Sequence, residues 1–152
     1  MKTAQQWFDE YAVSHQNETN KTIHYICVPA IFFSVIGLLV SIPTSLLENT
    51  FGLHNPFIEN WAAVVAIFFL IFYLRLGFWH FFNMLLLTLV CIIGNYQLSK
   101  FGNLALISLA IFIIAWIGQF YGHKIEGKKP SFIKDLQFLL IGPLWVITKL
   151  KN

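Results

Sequence analysis

Four stretches of this chain are apolar over about the length that a helix needs to cross a lipid bilayer, and no other feature limits its folds as strongly. A hydrocarbon core of about 30 Å asks for about 20 apolar residues in helical conformation. The stretches cover about residues 25–46, with Pro29 near the start and Pro43 near the end, 57–74, closing on Arg75, 78–96, just after Gly77, and 103–121, through Trp116. Composition points the same way. Of 152 residues, 57% are hydrophobic and 11% charged, where a soluble domain carries about 25% charged residues. Mean hydropathy is +0.68. These figures exclude a disordered chain, a disulfide scaffold and a nucleic-acid module. No nucleic acid is expected as a partner, and a lipid bilayer is.

The connections are short and contain turn formers. Arg75-Leu76-Gly77 forces the second and third stretches into an antiparallel hairpin, and Ser99 to Asn103, with Gly102, does the same for the third and fourth. Thr3 to His15 places Trp7, Phe8, Tyr11 and Ala12 on one helical face, the pattern of an amphipathic helix lying in the membrane interface. Leu136 to Thr148 is strongly apolar but short for a span, and Gly142-Pro143 interrupts it; a re-entrant or interfacial element is expected there. The fold class expected is therefore all-α: a single integral membrane domain over 1–152, with an interfacial segment over 1–22, a bundle of four transmembrane helices, and a re-entrant or interfacial apolar helix over 131–150. Met1 to Lys21 is polar and lacks the apolar core of a cleavable signal peptide.

Charge placement predicts the topology. With four spans, Lys2, Lys21, Arg75, Lys124 and the later lysines share one side, and only Lys100 falls opposite. The positive-inside rule then puts both termini in the cytoplasm. A bacterial inner membrane is the expected location, with the endoplasmic reticulum as the alternative. Cys27 and Cys91 form no CxxC pattern and read as small apolar residues within helices.

Even span parity brings distant histidines to one membrane face: His15 and His24 precede the first span, and His123 follows the fourth. Nine residues of continuous helix would turn about 900° and set His15 and His24 on opposite faces. They converge only if the chain bends between them. Asn17-Glu18-Thr19-Asn20 supplies bend chemistry, with Asn20 as the expected N-cap of the first span. Trp116, Gln119, His123 and Glu126 lie on one stripe of the fourth helix, and such a polar stripe normally faces the bundle interior or a cavity. Gly127 suits the C′ position, and Pro130 limits continuation.

Three histidines with a nearby carboxylate make the ligand set of a mononuclear metal site. Imidazole suits iron, zinc or copper, and two histidines plus a carboxylate with open positions suggest non-haem Fe(II) oxygen chemistry. Blander roles stay open. His15 and His24 can face lipid headgroups, and His123 and Glu126 can pair with each other or with lysines. HxxxH, HxxHH and HExxH boxes are absent, as are a nucleophile elbow and a glycine-rich phosphate loop. His54 is expected to be solvated in a loop, and His80 to sit in an aromatic belt. Asn83, Thr88 and Asn95 are expected to hydrogen-bond between helices. The basic run from Lys124 to Lys134 suits anionic headgroups or a substrate carboxylate.

At these two clusters the sequence resembles a known family, the membrane-bound 2-hydroxy fatty acid dioxygenases of α-oxidation. The matching stretches are Tyr11 to Pro29, which contains H-x-N-x-x-N-x-x-x-H-x-x-x-V-P, and Trp116 to Pro130. The intervening hydrophobic spans match in number and spacing, so the resemblance covers nearly the whole chain. It implies an Fe(II)-dependent oxygenase that shortens 2-hydroxy fatty acids by one carbon with O2. The family's histidines correspond here to His15, His24 and His123, which would hold the iron. Some members place the acidic residue four positions after the last histidine, whereas Glu126 stands three after His123; it is a ligand or orients one. Asn17, Asn20 and Gln119 would fix imidazole tautomers from behind, and Lys128 or Lys129 would attract the substrate carboxylate. Two other readings compete: a zinc-dependent membrane lipid or amide hydrolase, and a non-catalytic membrane scaffold.

Overall fold

Polar capping residues set where the apolar helices start. Thr3 opens α1 (Ala4–Ala12) with a capping box, its Oγ1 accepting from Gln6 N–H at 3.2 Å while Gln6 Oε1 accepts from Thr3 N–H at 2.8 Å. Asn17 opens α2 (Glu18–Val40), its Oδ1 accepting from the Thr19 and Asn20 N–H groups at 2.9 and 3.3 Å. The cap thus lies at Asn17 rather than Asn20, because the bend falls earlier than expected and the helix starts at Glu18. Ser41 to Thr44 breaks the chain before a short α3 (Ser45–Phe51), so the first apolar helix stops at Val40. Asn60 caps α4 (Trp61–Leu76), accepting from Ala63 N–H at 2.9 Å. Asn103 caps α6 (Leu104–Glu126), accepting from Leu106 N–H at 3.2 Å. Between these lie α5 (Phe78–Leu98) and a 3-10 turn (Ser99–Phe101), and the last element is α7 (Phe132–Leu150).

These elements come from a computed structural model that describes residues 2–52, 55–127 and 132–150, without the side chains of Phe51, Leu150 and residues 132–137. The expectations for His54, Lys128, Lys129 and Pro130 lie outside the described residues. The described residues are all-helical apart from turns and connections.

Three helices are long and apolar enough to cross a membrane: Glu18–Val40, Phe78–Phe101 and Leu104–Glu126. The fourth expected span, α4, is an apolar helix of 16 residues, about 24 Å long, cut short by its Asn60 cap and by Gly77. Burial supplies an independent membrane signature. Phe68, Trp79 and Ile114 are 72%, 73% and 70% exposed, while Asn95, Thr88, Ser108 and Ser34 are buried. An exterior more apolar than its interior fits lipid, not water.

The chain divides into two compact units. Phe33–Ala110 forms one of them. Within it, α4 and α5 fold back on one another with only Gly77 between, at φ +140°, a conformation that L side chains rarely adopt. Met84, Thr88, Cys91, Ile92 and Asn95 form the buried stripe of α5. Asn95 Nδ2 donates to Phe33 O at 3.0 Å and to Cys91 O at 2.9 Å, tying α2 to α5. Gly37 makes that approach possible, since a Cβ there would overlap Asn95 Oδ1 and Ser108 Oγ.

Met1–Phe32 and Ile111–Asn152 form the other unit. Here α1 packs against α7, with Tyr11 edge-on to Phe138 and tilted against Trp145. Helix α7 is continuous through Gly142-Pro143, which the sequence reading takes as an interruption. Residues 141–146 are buried without a break. The loss of one backbone bond at Pro143 is offset by packing on every side.

Replacing Gly37 by Ala should lower the thermal unfolding midpoint in detergent. Overpacking of this kind costs about 1–3 kcal/mol, and an unchanged midpoint would show that Asn95 can yield.

Candidate metal centre

His15 stands in the turn between α1 and α2, His24 in the second turn of α2, and His123 in the last turn of α6. All three are buried, at 2%, 1% and 7% exposure. One ligand nitrogen from each ring lies within 4.8 Å of the other two. Ring centroids are 4.2 Å apart for His15 and His24, 5.0 Å for His24 and His123, and 5.5 Å for His15 and His123. Among the described residues no other group of histidine, cysteine or carboxylate ligands converges in this way.

Local backbone geometry sets the tautomers. His15 Nδ1 lies 2.6 Å from Tyr11 O, and His24 Nδ1 lies 2.9 Å from Asn20 O. A carbonyl oxygen only accepts, so Nδ1 carries the proton in both rings and Nε2 keeps the lone pair. This is the arrangement of a metal-binding imidazole whose second nitrogen is held by a backbone carbonyl. Each carbonyl comes from the residue four positions earlier, so the bend and the helix aim the rings themselves. Tyr11 also stacks on His15, with centroids 4.0 Å apart and planes 9° from parallel.

Two glycines bring α6 onto α2. A Cβ at Gly118 would crowd Cys27 Sγ, and one at Gly122 would overlap Asn20 Oδ1. Gly118 and Gly122 are spaced as G-x-x-x-G, the small-residue pattern that lets membrane helices approach closely. That signal is present in the sequence, and the sequence reading above passes over it. It also passes over Tyr11 as a wall of the site.

Glu126 joins the end of α6 to the bend. Its Oε1 accepts from Gln16 N–H at 2.8 Å, and its Oε2 accepts from Asn17 N–H at 2.9 Å and Asn20 Nδ2 at 3.0 Å. Both oxygens thus accept hydrogen bonds from the segment that carries His15 and His24. Asn20 Nδ2 also reaches Ser14 O at 3.1 Å, closing the same bend. Asn17 acts as helix cap. Gln119 is buried, with its Nε2 unpaired, and it touches no imidazole through a hydrogen bond. His80 belongs to the other unit and not to this cluster.

A cavity of about 30 Å³ lies among the histidines, lined further by Tyr11, Ile31, Trp116, Gln119 and Phe138. That is room for an ion and about one or two water-sized groups. Three imidazoles at this spacing suit a first-row transition metal. A larger cavity of about 680 Å³ lies in the other unit, with Glu48, Glu59 and Asn103 in its wall. It offers no imidazole or thiolate among the described residues.

Glu126→Ala should loosen the bend. We expect faster amide exchange at Gln16 and Asn17 in metal-free protein, and metal affinity lower by about 10–100-fold. Unchanged exchange with lost affinity would instead make Glu126 a direct ligand.

The profile of a family described as 2-hydroxy-palmitic acid dioxygenase Mpo1-like matches residues 1–152. The chain is also 31% identical over 139 residues to the 2-hydroxy-palmitic acid dioxygenase MPO1 of Saccharomyces cerevisiae, an alignment covering 90% of this chain and 73% of the yeast protein. No solved structure matches it. A match over the whole of residues 1–152, joined to that identity, makes this chain a member of the Mpo1-like family.

Proposed function

We propose that this protein is an iron-dependent dioxygenase that shortens 2-hydroxy fatty acids by one carbon with O2. The observation that carries the reading is the convergence of His15, His24 and His123 within 4.8 Å in a buried pocket. Family membership, and the printed activity of the yeast relative, supply the substrate class. The overall change, R–CH(OH)–COOH + O2 → R–COOH + CO2 + H2O, balances without an external reductant. That agrees with a chain in which no nucleotide-binding loop is found.

Bound Fe(II) would supply the one-electron chemistry that lets O2 react with a closed-shell acid. His15, His24 and His123 would hold it, while the carbonyls of Tyr11 and Asn20 keep the first two rings turned with Nε2 inward. Glu126 keeps the bend closed from outside. Ile31, Trp116, Phe138 and Leu139 exclude water from the cavity, and the acid's alkyl tail would lie among apolar helices.

The membrane arrangement that suits this reading is one integral domain with four crossings. Helix α4 serves as the short span, accommodated by local thinning of the bilayer, and α7 re-enters. Both termini face the cytoplasm, in a bacterial inner membrane or in the endoplasmic reticulum.

His123→Ala should remove bound iron and abolish turnover of a 2-hydroxy fatty acid while leaving the helical circular dichroism intact. Full activity in that variant would refute the assignment. Stripping the metal from wild-type protein should lower the unfolding midpoint, and Fe(II) should restore it. A ligand present at a hundred times its Kd contributes about 2.7 kcal/mol. Equal activity with zinc under anaerobic conditions would favour the hydrolase instead.

A further inference from the structure

Gln119 is the side chain in the histidine cavity whose chemistry the metal centre leaves unused. It sits on α6 one turn before His123, is 6% exposed, and lines the same cavity. Its Nε2 is buried and has no hydrogen-bond partner among the described residues. A buried donor left unpaired is unfavourable, and an acceptor brought by a ligand removes that penalty. The sequence expectation that Gln119 fixes an imidazole tautomer does not account for it, since backbone carbonyls already hold His15 and His24.

The surroundings narrow the ligand's chemistry. Val28, Ile31, Phe138 and Leu139 give the cavity apolar walls, and no Lys or Arg is among its described lining residues. An ionised carboxylate entering such walls needs hydrogen-bond donors, or it pays a heavy desolvation cost. A carboxamide offers two N–H donors without bringing a charge of its own.

We propose that the Gln119 carboxamide receives a carboxylate oxygen of the 2-hydroxy acid and so orients the end of the molecule that loses a carbon. This inference rests on the dioxygenase reading above. It makes Gln119 a substrate-binding residue, neither a metal ligand nor a support for one.

Two substitutions test it. Gln119→Glu keeps the shape but replaces the donor by a charged acceptor, and Gln119→Met keeps much of the bulk without any donor. Both are compared with wild type for helical circular dichroism, bound iron, and kcat and KM with 2-hydroxypalmitate. Tryptophan fluorescence, with Trp116 in the cavity wall as reporter, follows titration of the iron-free protein with the same acid. Iron content should stay at the wild-type value. KM should rise about tenfold for Met, the effect of about 1.4 kcal/mol, and further for Glu. Binding to the iron-free protein should weaken in the same order. Unchanged KM in both variants overturns the proposal while leaving the dioxygenase reading in place, and so does loss of iron at unchanged KM. A wild-type protein that turns over no 2-hydroxy acid overturns both.

Discussion

The close approach of α6 to α2 at Gly118 and Gly122 is the contact on which the histidine cluster depends. Lipid tails are as apolar as leucine, so membrane helices gain little from hiding apolar surface against one another. They associate where their shapes fit. At these two positions a side chain would overlap Cys27 and Asn20 and touch Ile23, all residues of the helix that carries His24. One turn beyond Gly122's neighbour Gln119 comes His123, and one turn further comes Glu126, which reaches over to the bend. Ligand, cavity wall and clamp thus all follow from one glycine-lined contact.

Polar groups are secluded for the same physical reason. In a hydrocarbon solvent each amide, hydroxyl or imidazole must find its partner inside the protein. Asn95 does so across helices, and His15 and His24 do so on their own backbone. Many of the side chains facing outward are phenylalanine, leucine and isoleucine. A site built of buried imidazoles in such surroundings excludes bulk water without needing a separate lid.

The apolar stretches and the shared face of His15, His24 and His123 are legible in the sequence, the first from composition and the second from counting crossings. Helix limits are less so. Asn17 and Asn20 both have capping chemistry, and only the path of the bend decides between them. Gly142-Pro143 reads as a break, yet residues 141–146 are so fully enclosed that the helix continues. Glu126 is the instructive case. Its spacing from His123 shows which face it shares, but two of its three partners are backbone N–H groups, which no residue letter records. Helix α4 shows the same limit, since its apolar letters continue a longer stretch but its Asn60 cap and Gly77 hold it to 16 residues.

His15 and His24 come early in the chain and His123 near its end, with most of the apolar sequence between them. During synthesis the first two histidines emerge long before their partner exists. The three-nitrogen site can form only when α6 has been made, inserted and brought against α2. Contacts this distant in sequence close late in folding. A metal ion held by these three residues would therefore join segments made far apart in time, and it would bind only once α6 lies against α2.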